Sequence, residues 1–178
     1  ALAELSESPG VVALGEVGLD YYRNDWSEEI QKALFADAIY LANDTRLPVV
    51  IHSRAAFWET LECLERAEVP VVLHCFEGGE AEIRAAEERG YYIGLAGNVT
   101  YKNSAAAPFL HLIDEDRLLV ETDAPYLSPQ PVRRERNRPK NVVHTAHFVA
   151  DRLGVTPEEL GERTGRNAVG LFGLPLEV

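Results

Sequence analysis

Methionine is absent from this chain of 178 residues, and cysteine occurs only twice, as Cys63 and Cys75. The two thiols stand in different segments and form no Cys-x-x-Cys pair. That argues against a disulfide framework and predicts two buried free thiols in a reducing compartment. No apolar run approaches the ~20 residues needed to span a bilayer, so no membrane partner is expected. The first ten residues carry Glu4 and Glu7 and do not read as a signal peptide. These absences together predict a cytoplasmic protein. Positive charge is scarce as well: 17 Lys and Arg stand against 29 Asp and Glu, a formal net charge of −12. A protein that grips nucleic acid through a broad basic face is thereby excluded. The deficit is uneven, however. Arg133, Arg134, Arg136, Arg138 and Lys140 crowd into one segment in which only Glu135 opposes them. An enzyme that meets phosphates through metal ions and one local basic loop remains compatible with this balance.

What is present is a repeated pattern: a short apolar run, a ligand-type polar residue, then a helix. Val11-Val12-Ala13-Leu14-Gly15 runs into Glu16, and Pro48-Val49-Val50-Ile51 into His52. Val69-Pro70-Val71-Val72-Leu73 runs into His74, Tyr91 to Leu95 forms a fourth run, and Leu118-Leu119-Val120-Glu121 leads to Asp123. Continuous β-branched runs of this length predict strands buried on both faces, hence a parallel sheet. Helices fill the gaps. Ser27 is placed to N-cap one, with Glu28 and Glu29 in its first turn and an apolar stripe of Ile30, Leu34, Ala38 and Leu41. Phe57, Leu61 and Leu64 form a second stripe, and residues 81–89 a third helix closed by Gly90. A fourth starts at Asn141 and ends at Gly154. Thr156-Pro157-Glu158-Glu159 is a capping box with proline at the first helical position. Alternating strand and helix predicts an α/β fold with right-handed crossovers, read as one domain over residues 1–178. The segment from Pro125 to Pro139 is too long and proline-rich for a mere connector, which marks a functional loop.

In a parallel α/β barrel, chemistry lies where strands end. Four strand ends here carry Glu16, His52, His74 and Asp123. Carboxylate with imidazole suits Zn, Mn or Fe, and less selectively Mg. A lone strand-end histidine is more often a hydrogen-bonded core residue. Two of them, with acids on two further strand ends, argue for ligation. If the strand continues, Glu121 and Asp123 share a face, and the spacing alone does not choose between them. His111, and His144 with His147 at helical spacing, read as surface or packing residues, because they lack the His-Glu-x-x-His arrangement. Trp26 and Trp58 read as core or rim aromatics. Cys75, next to His74, is expected to point away from it if both lie on a strand.

Four segments carry a specific resemblance: Gly15-Glu16-Val17-Gly18-Leu19-Asp20-Tyr21-Tyr22, Ile51-His52-Ser53-Arg54, His74-Cys75-Phe76 and Glu121-Thr122-Asp123-Ala124-Pro125-Tyr126-Leu127. In order and spacing they resemble the TatD family of metal-dependent deoxyribonucleases. The likeness continues through the basic loop to Asn167-Ala168 and Leu171-Phe172. It implies an α/β fold that is a partial (β/α)8 TIM-type barrel, with strands four to eight of the family present. It implies hydrolysis of phosphodiester bonds in DNA, from a 3′ end in single strands, with two divalent ions (Mg, Mn or Zn) per intact site. On this likeness Glu16 bridges the ions, His52 and His74 bind one of them, and Asp123, not Glu121, binds the other and acts as general base. Arg133, Arg136 and Asn137 match the family's Arg-rich loop and become expected substrate contacts, while Arg54, which follows a ligand strand, is expected to reach a phosphate bidentately. The family usually has glycine where Arg134 stands and an acid where Arg138 stands, so this loop is the more basic.

The resemblance also names something missing. Family members open with a strand bearing a His-x-His pair, and none occurs here. We therefore expect a fragment of a longer protein, in keeping with the absent initiator methionine, or self-association that covers open sheet edges. Two further functions share the ligand set: a hydrolase of a small-molecule amide or ester, and an inactive metal-binding remnant acting as an interaction module.

Overall fold

The computed structural model describes residues 2–23 and 25–175. They group into two compact units, residues 2–23 and 25–73 with 171–174, and residues 74–170 with 175. In the first unit a short helix α1 (Leu2–Ser6) precedes β1 (Leu14–Asp20), α2 (Glu28–Thr45), β2 (Val49–Arg54), α3 (Phe57–Leu64) and β3 (Val71–Leu73). The strands lie parallel in the order β1-β2-β3, with Gly18 opposite His52 and Ile51 opposite Leu73. Leu19, Val49, Ile51, Val71 and Leu73 are all buried, but Val50 and His52 of β2 are only partly buried and Glu16 of β1 is exposed, so β1 and β2 lack the burial on both faces that their apolar runs predict.

The second unit contains α4 (Glu80–Glu87), β4 (Tyr92–Leu95), β5 (Leu118–Val120), α5 (Val142–Leu153) and α6 (Pro157–Phe172). Strands β4 and β5 run parallel, pairing Ile93 with Leu118 and Leu95 with Val120. Short 3-10 helices occupy residues 97–100, 107–112, 130–132 and 139–141. The expected α/β class with parallel strands is therefore present, and the fold is a partial barrel of the (β/α)8 type. Among the described residues no helix is long and apolar enough to cross a membrane.

The helix signals act as the residues predict. The Ser27 hydroxyl accepts the N–H of Ile30 (3.4 Å). Thr156 and Glu159 form the reciprocal capping box, with Thr156 N–H donating to Glu159 (2.8 Å) and Glu159 N–H to Thr156 (3.1 Å). Gly154 closes α5 in the left-handed region, at φ +71°.

Three expectations are corrected or narrowed. The apolar stripe of α2 that meets the core is Phe35, Ala38, Ile39 and Ala42, whereas Ile30 and Leu34 are exposed. Positions i, i+3, i+4 and i+7 counted from Phe35 fit a 3.6-residue turn, and Leu34 lies on their flank. Of the two places expected for Trp26 and Trp58, core or rim, their exposure excludes the core and keeps the rim. Strand β1 continues past Glu16 to Asp20, so Glu16 sits within the strand and Asp20 at its end.

Candidate functional site

In the first unit, β1 carries Glu16 and Asp20, and β2 carries His52. Gly18 allows their backbones to meet: it holds φ +145°, and a Cβ there would fall 1.9 Å from the His52 carbonyl oxygen. The His52 ring lies between two carboxylates. Its Nε2 is 3.2 Å from Asp20 Oδ2, and its Nδ1 is 3.6 Å from Glu16 Oε2. Asp20 is itself fixed. Its Oδ1 accepts the backbone N–H groups of Tyr22 (3.0 Å) and Arg23 (2.9 Å), while Gln31 of α2 brackets its peptide. Burial opposes ionisation of Asp20, but the hydrogen bonds from the Arg23 N–H and His52 outweigh it and hold its carboxyl below the usual value. A cleft of about 480 Å3 opens beside this cluster, with Arg23, Trp26 and Leu34 on its walls. Nearby, the Arg54 guanidinium stacks 3.9 Å over the Tyr22 ring.

The second unit repeats the arrangement with different residues. His74 Nδ1 is in close contact with Glu121 Oε2, and its Nε2 lies 3.8 Å from Asp123 Oδ1. Glu121 Oε1 accepts the backbone N–H of Cys75 (2.8 Å). The Phe76 N–H donates to Gly94 O (2.9 Å), which ties the segment after His74 to β4. Cys75 and Asp123 both adopt left-handed backbone, at φ +48° and +52°. That conformation costs a non-glycine residue about 1–2 kcal/mol, and such strain gathers at functional sites.

Strand β3 ends at Leu73, so Cys75 does not alternate away from His74 as expected on a strand. His74, Cys75 and Glu121 instead place donor atoms within 4.8 Å of one another. The Cys75 thiol is pushed up to about 12, chiefly by burial, and so stays protonated.

The other expected residues fall into two kinds. Arg133 and Arg136 are exposed, and the Arg133 guanidinium stacks 3.9 Å over Tyr101. Asn137 is buried, contrary to its expected contact with substrate. Its amide donates to Thr122 O (2.7 Å) and Tyr126 O (2.6 Å), and its Oδ1 accepts from Arg138 N–H and Asn141. The side chain is consumed in holding the loop that carries Asp123.

Two residues received no role from the sequence. Asp20 lies inside the segment Gly15 to Tyr22, and the family likeness favours Asp123 over Glu121. Each is a carboxylate at a strand's C-terminal end or directly after it, and that is the signal available for both.

The donor chemistry fits divalent cations. Each imidazole gives one nitrogen to a hydrogen-bonding carboxylate and turns the other toward a second carboxylate at 3.6 or 3.8 Å. Those gaps exceed hydrogen-bond length. They suit an imidazole nitrogen and a carboxylate oxygen that each reach an ion at about 2.0–2.2 Å.

Parallel strands alternating with helices, and histidine–carboxylate pairs on the strands or just after them, are the features of a metal-dependent hydrolase of the barrel type. More narrowly, the chain belongs to the TatD-related DNase family, whose profile matches residues 1–173. It is 39% identical over 175 residues to the Bacillus subtilis metal-dependent hydrolase YabD, covering 96% of this chain and 69% of that one. It is 38% identical over 187 residues to the Citrobacter rodentium 3'-5' ssDNA/RNA exonuclease TatD, covering 99% and 71%. Among solved structures it is similar to YjjV, a TatD homolog from Escherichia coli K12, at TM-score 0.84 and 28% identity, over 93% of this chain and 65% of that one. A TatD family hydrolase from Entamoeba histolytica shares the fold at TM-score 0.80 and 24% identity, over 91% and 63%. The chain thus spans about two thirds of the length of the proteins it matches.

Proposed function

We propose that this protein contributes to divalent-metal-dependent hydrolysis of phosphodiester bonds in single-stranded nucleic acid, acting from a 3′ end. The observation that carries the reading is the pairing of each family-type histidine with a family-type acid, His52 with Glu16 and His74 with Asp123, across a gap suited to a cation. Relatives named 3'-5' ssDNA/RNA exonuclease, at 36–39% identity, support the substrate class.

In this reading Glu16, His52, His74 and Asp123 are ligands for Mg, Mn or Zn, two ions serving the intact family site. Such ions lower the pKa of water toward neutrality and stabilise charge on the phosphoryl oxygens. Asp123 accepts the proton of the attacking water, within reach of His74. Arg54 and Arg133 sit over tyrosine rings, each guanidinium carbon 3.9 Å from a ring centroid, and offer their N–H groups to phosphate, where bidentate contact is strong. The exposed basic loop supplies the positive charge that the chain otherwise lacks.

A nuclease assay on a 3′-labelled single strand with Mg or Mn, paired with titration of the metal, tests the reading. The unaltered protein should bind the ion and shorten the strand from its 3′ end. His74→Ala and His52→Ala should each lose metal affinity and at least ~10²-fold in rate. Equal activity in the altered and unaltered proteins shows that the site is misassigned.

A further inference from the structure

We infer that Asp20 and Glu121 are positioning residues that select which nitrogen of each histidine is offered to a metal ion: Nδ1 of His52 and Nε2 of His74. The inference rests on the metal-binding reading above and deepens it.

An ionised carboxylate can only accept hydrogen bonds, and a neutral imidazole has one donor and one acceptor nitrogen. The nitrogen that faces the nearer carboxylate must then carry the proton. For His52 that nitrogen is Nε2, 3.2 Å from Asp20 Oδ2, so the lone pair remains on Nδ1, toward Glu16. For His74 it is Nδ1, in contact with Glu121 Oε2, so the lone pair remains on Nε2, toward Asp123. The two rings are thus set in opposite tautomers by the same device.

Neither acid is free to turn. Asp20 spends Oδ1 on the N–H groups of Tyr22 and Arg23, and Glu121 spends Oε1 on the N–H of Cys75. Each therefore has one oxygen anchored to backbone and the other aimed at a ring. A carboxylate that accepts from a ligand's far nitrogen fixes the ring's orientation and raises its basicity, and its loss typically costs 10–100-fold in metal affinity.

The anchoring makes the test sharp. In Asp20→Asn and Glu121→Gln the backbone N–H groups demand the amide oxygen, which leaves the amide NH2 facing the ring. A donor there forces the facing nitrogen to become the acceptor and moves the ring proton to the nitrogen meant for the metal. Nitrogen-15 NMR of the histidines in the metal-free whole protein, at a pH where both rings are neutral, reads this directly. The expected result is protonated Nε2 on His52 and protonated Nδ1 on His74, each inverted in its own variant and unchanged in the other. Manganese titration of the same variants should show affinity lowered about 10–100-fold.

The opposite tautomers in the unaltered protein, or rings that keep their tautomers in both variants, overturn the inference. The unaltered tautomers need no variant to fold. They are also read without metal, so a protein that binds no ion at all shows itself separately, in the titration of the unaltered chain.

Discussion

At the scale of single residues, Cys75 shows how far a neighbourhood can override composition. Its thiol lies beside two groups of metal-binding type, yet burial holds it neutral, pushed up to about 12 from an ordinary 9.0. As pH rises, the unfolded chain releases this proton first. The protonated thiol therefore contributes stability that is complete below about pH 9 and is lost progressively as pH climbs toward 12. Unfolding by denaturant at pH 8 and pH 10 should show a lower midpoint at the higher pH, and Cys75→Ala should narrow the difference. Alkylation gives a second readout. At pH 8 Cys75 should react on the order of 10²-fold more slowly than the same thiol in the unfolded chain. Equal rates would mean that the thiol is not shielded.

The loop between β5 and α5 is organised at the scale of an element. It is long and carries Pro125, Pro129, Pro131 and Pro139, but two buried side chains close it, Ser128, whose Oγ donates to Glu135 O (2.7 Å), and Asn137. The Asn137 amide joins Thr122 and Tyr126, which flank Asp123 on either side, and reaches Asn141 at the start of α5. Asn137→Ala takes the partner from two carbonyls, the Arg138 N–H and the Asn141 amide, which costs about 1–3 kcal/mol. For a chain of this size that corresponds to a Tm lower by roughly 2–12 °C, read by calorimetry. Because Asp123 sits in the strained left-handed conformation that this bracket maintains, metal affinity should fall together with Tm. A lower Tm with unaltered metal affinity would assign Asn137 to stability alone.

For the whole molecule, the governing quantity is a net charge of −12 set against one basic loop. Affinity for a polyanion then depends on a few arginines. Replacing Arg133 and Arg136 with serine should weaken binding of a single-stranded oligonucleotide. The slope of log K against log salt should flatten by about 0.7 for each phosphate contact removed. Fluorescence anisotropy across a salt series, under conditions where the strand is not cut, measures this. A slope that does not change would make both arginines solvated surface charges.

Much of this protein is written locally. Apolar runs of β-branched residues, Ser27, Gly154 and the Thr156–Glu159 box act through neighbours within a few positions, so strands, helix ends and the parallel α/β class follow from the chain alone. The family follows too, since its motifs are contiguous. Tertiary structure decided what depends on residues far apart in sequence. Asp20 reaches His52 across 32 positions, and Glu121 reaches His74 across 47. No local pattern encodes which carboxylate orients a ring and which turns toward a cation. The same limit hid the inward face of α2 and the burial of Asn137. A side chain's partners are fixed by distances in space, and those exist only once the backbone has folded.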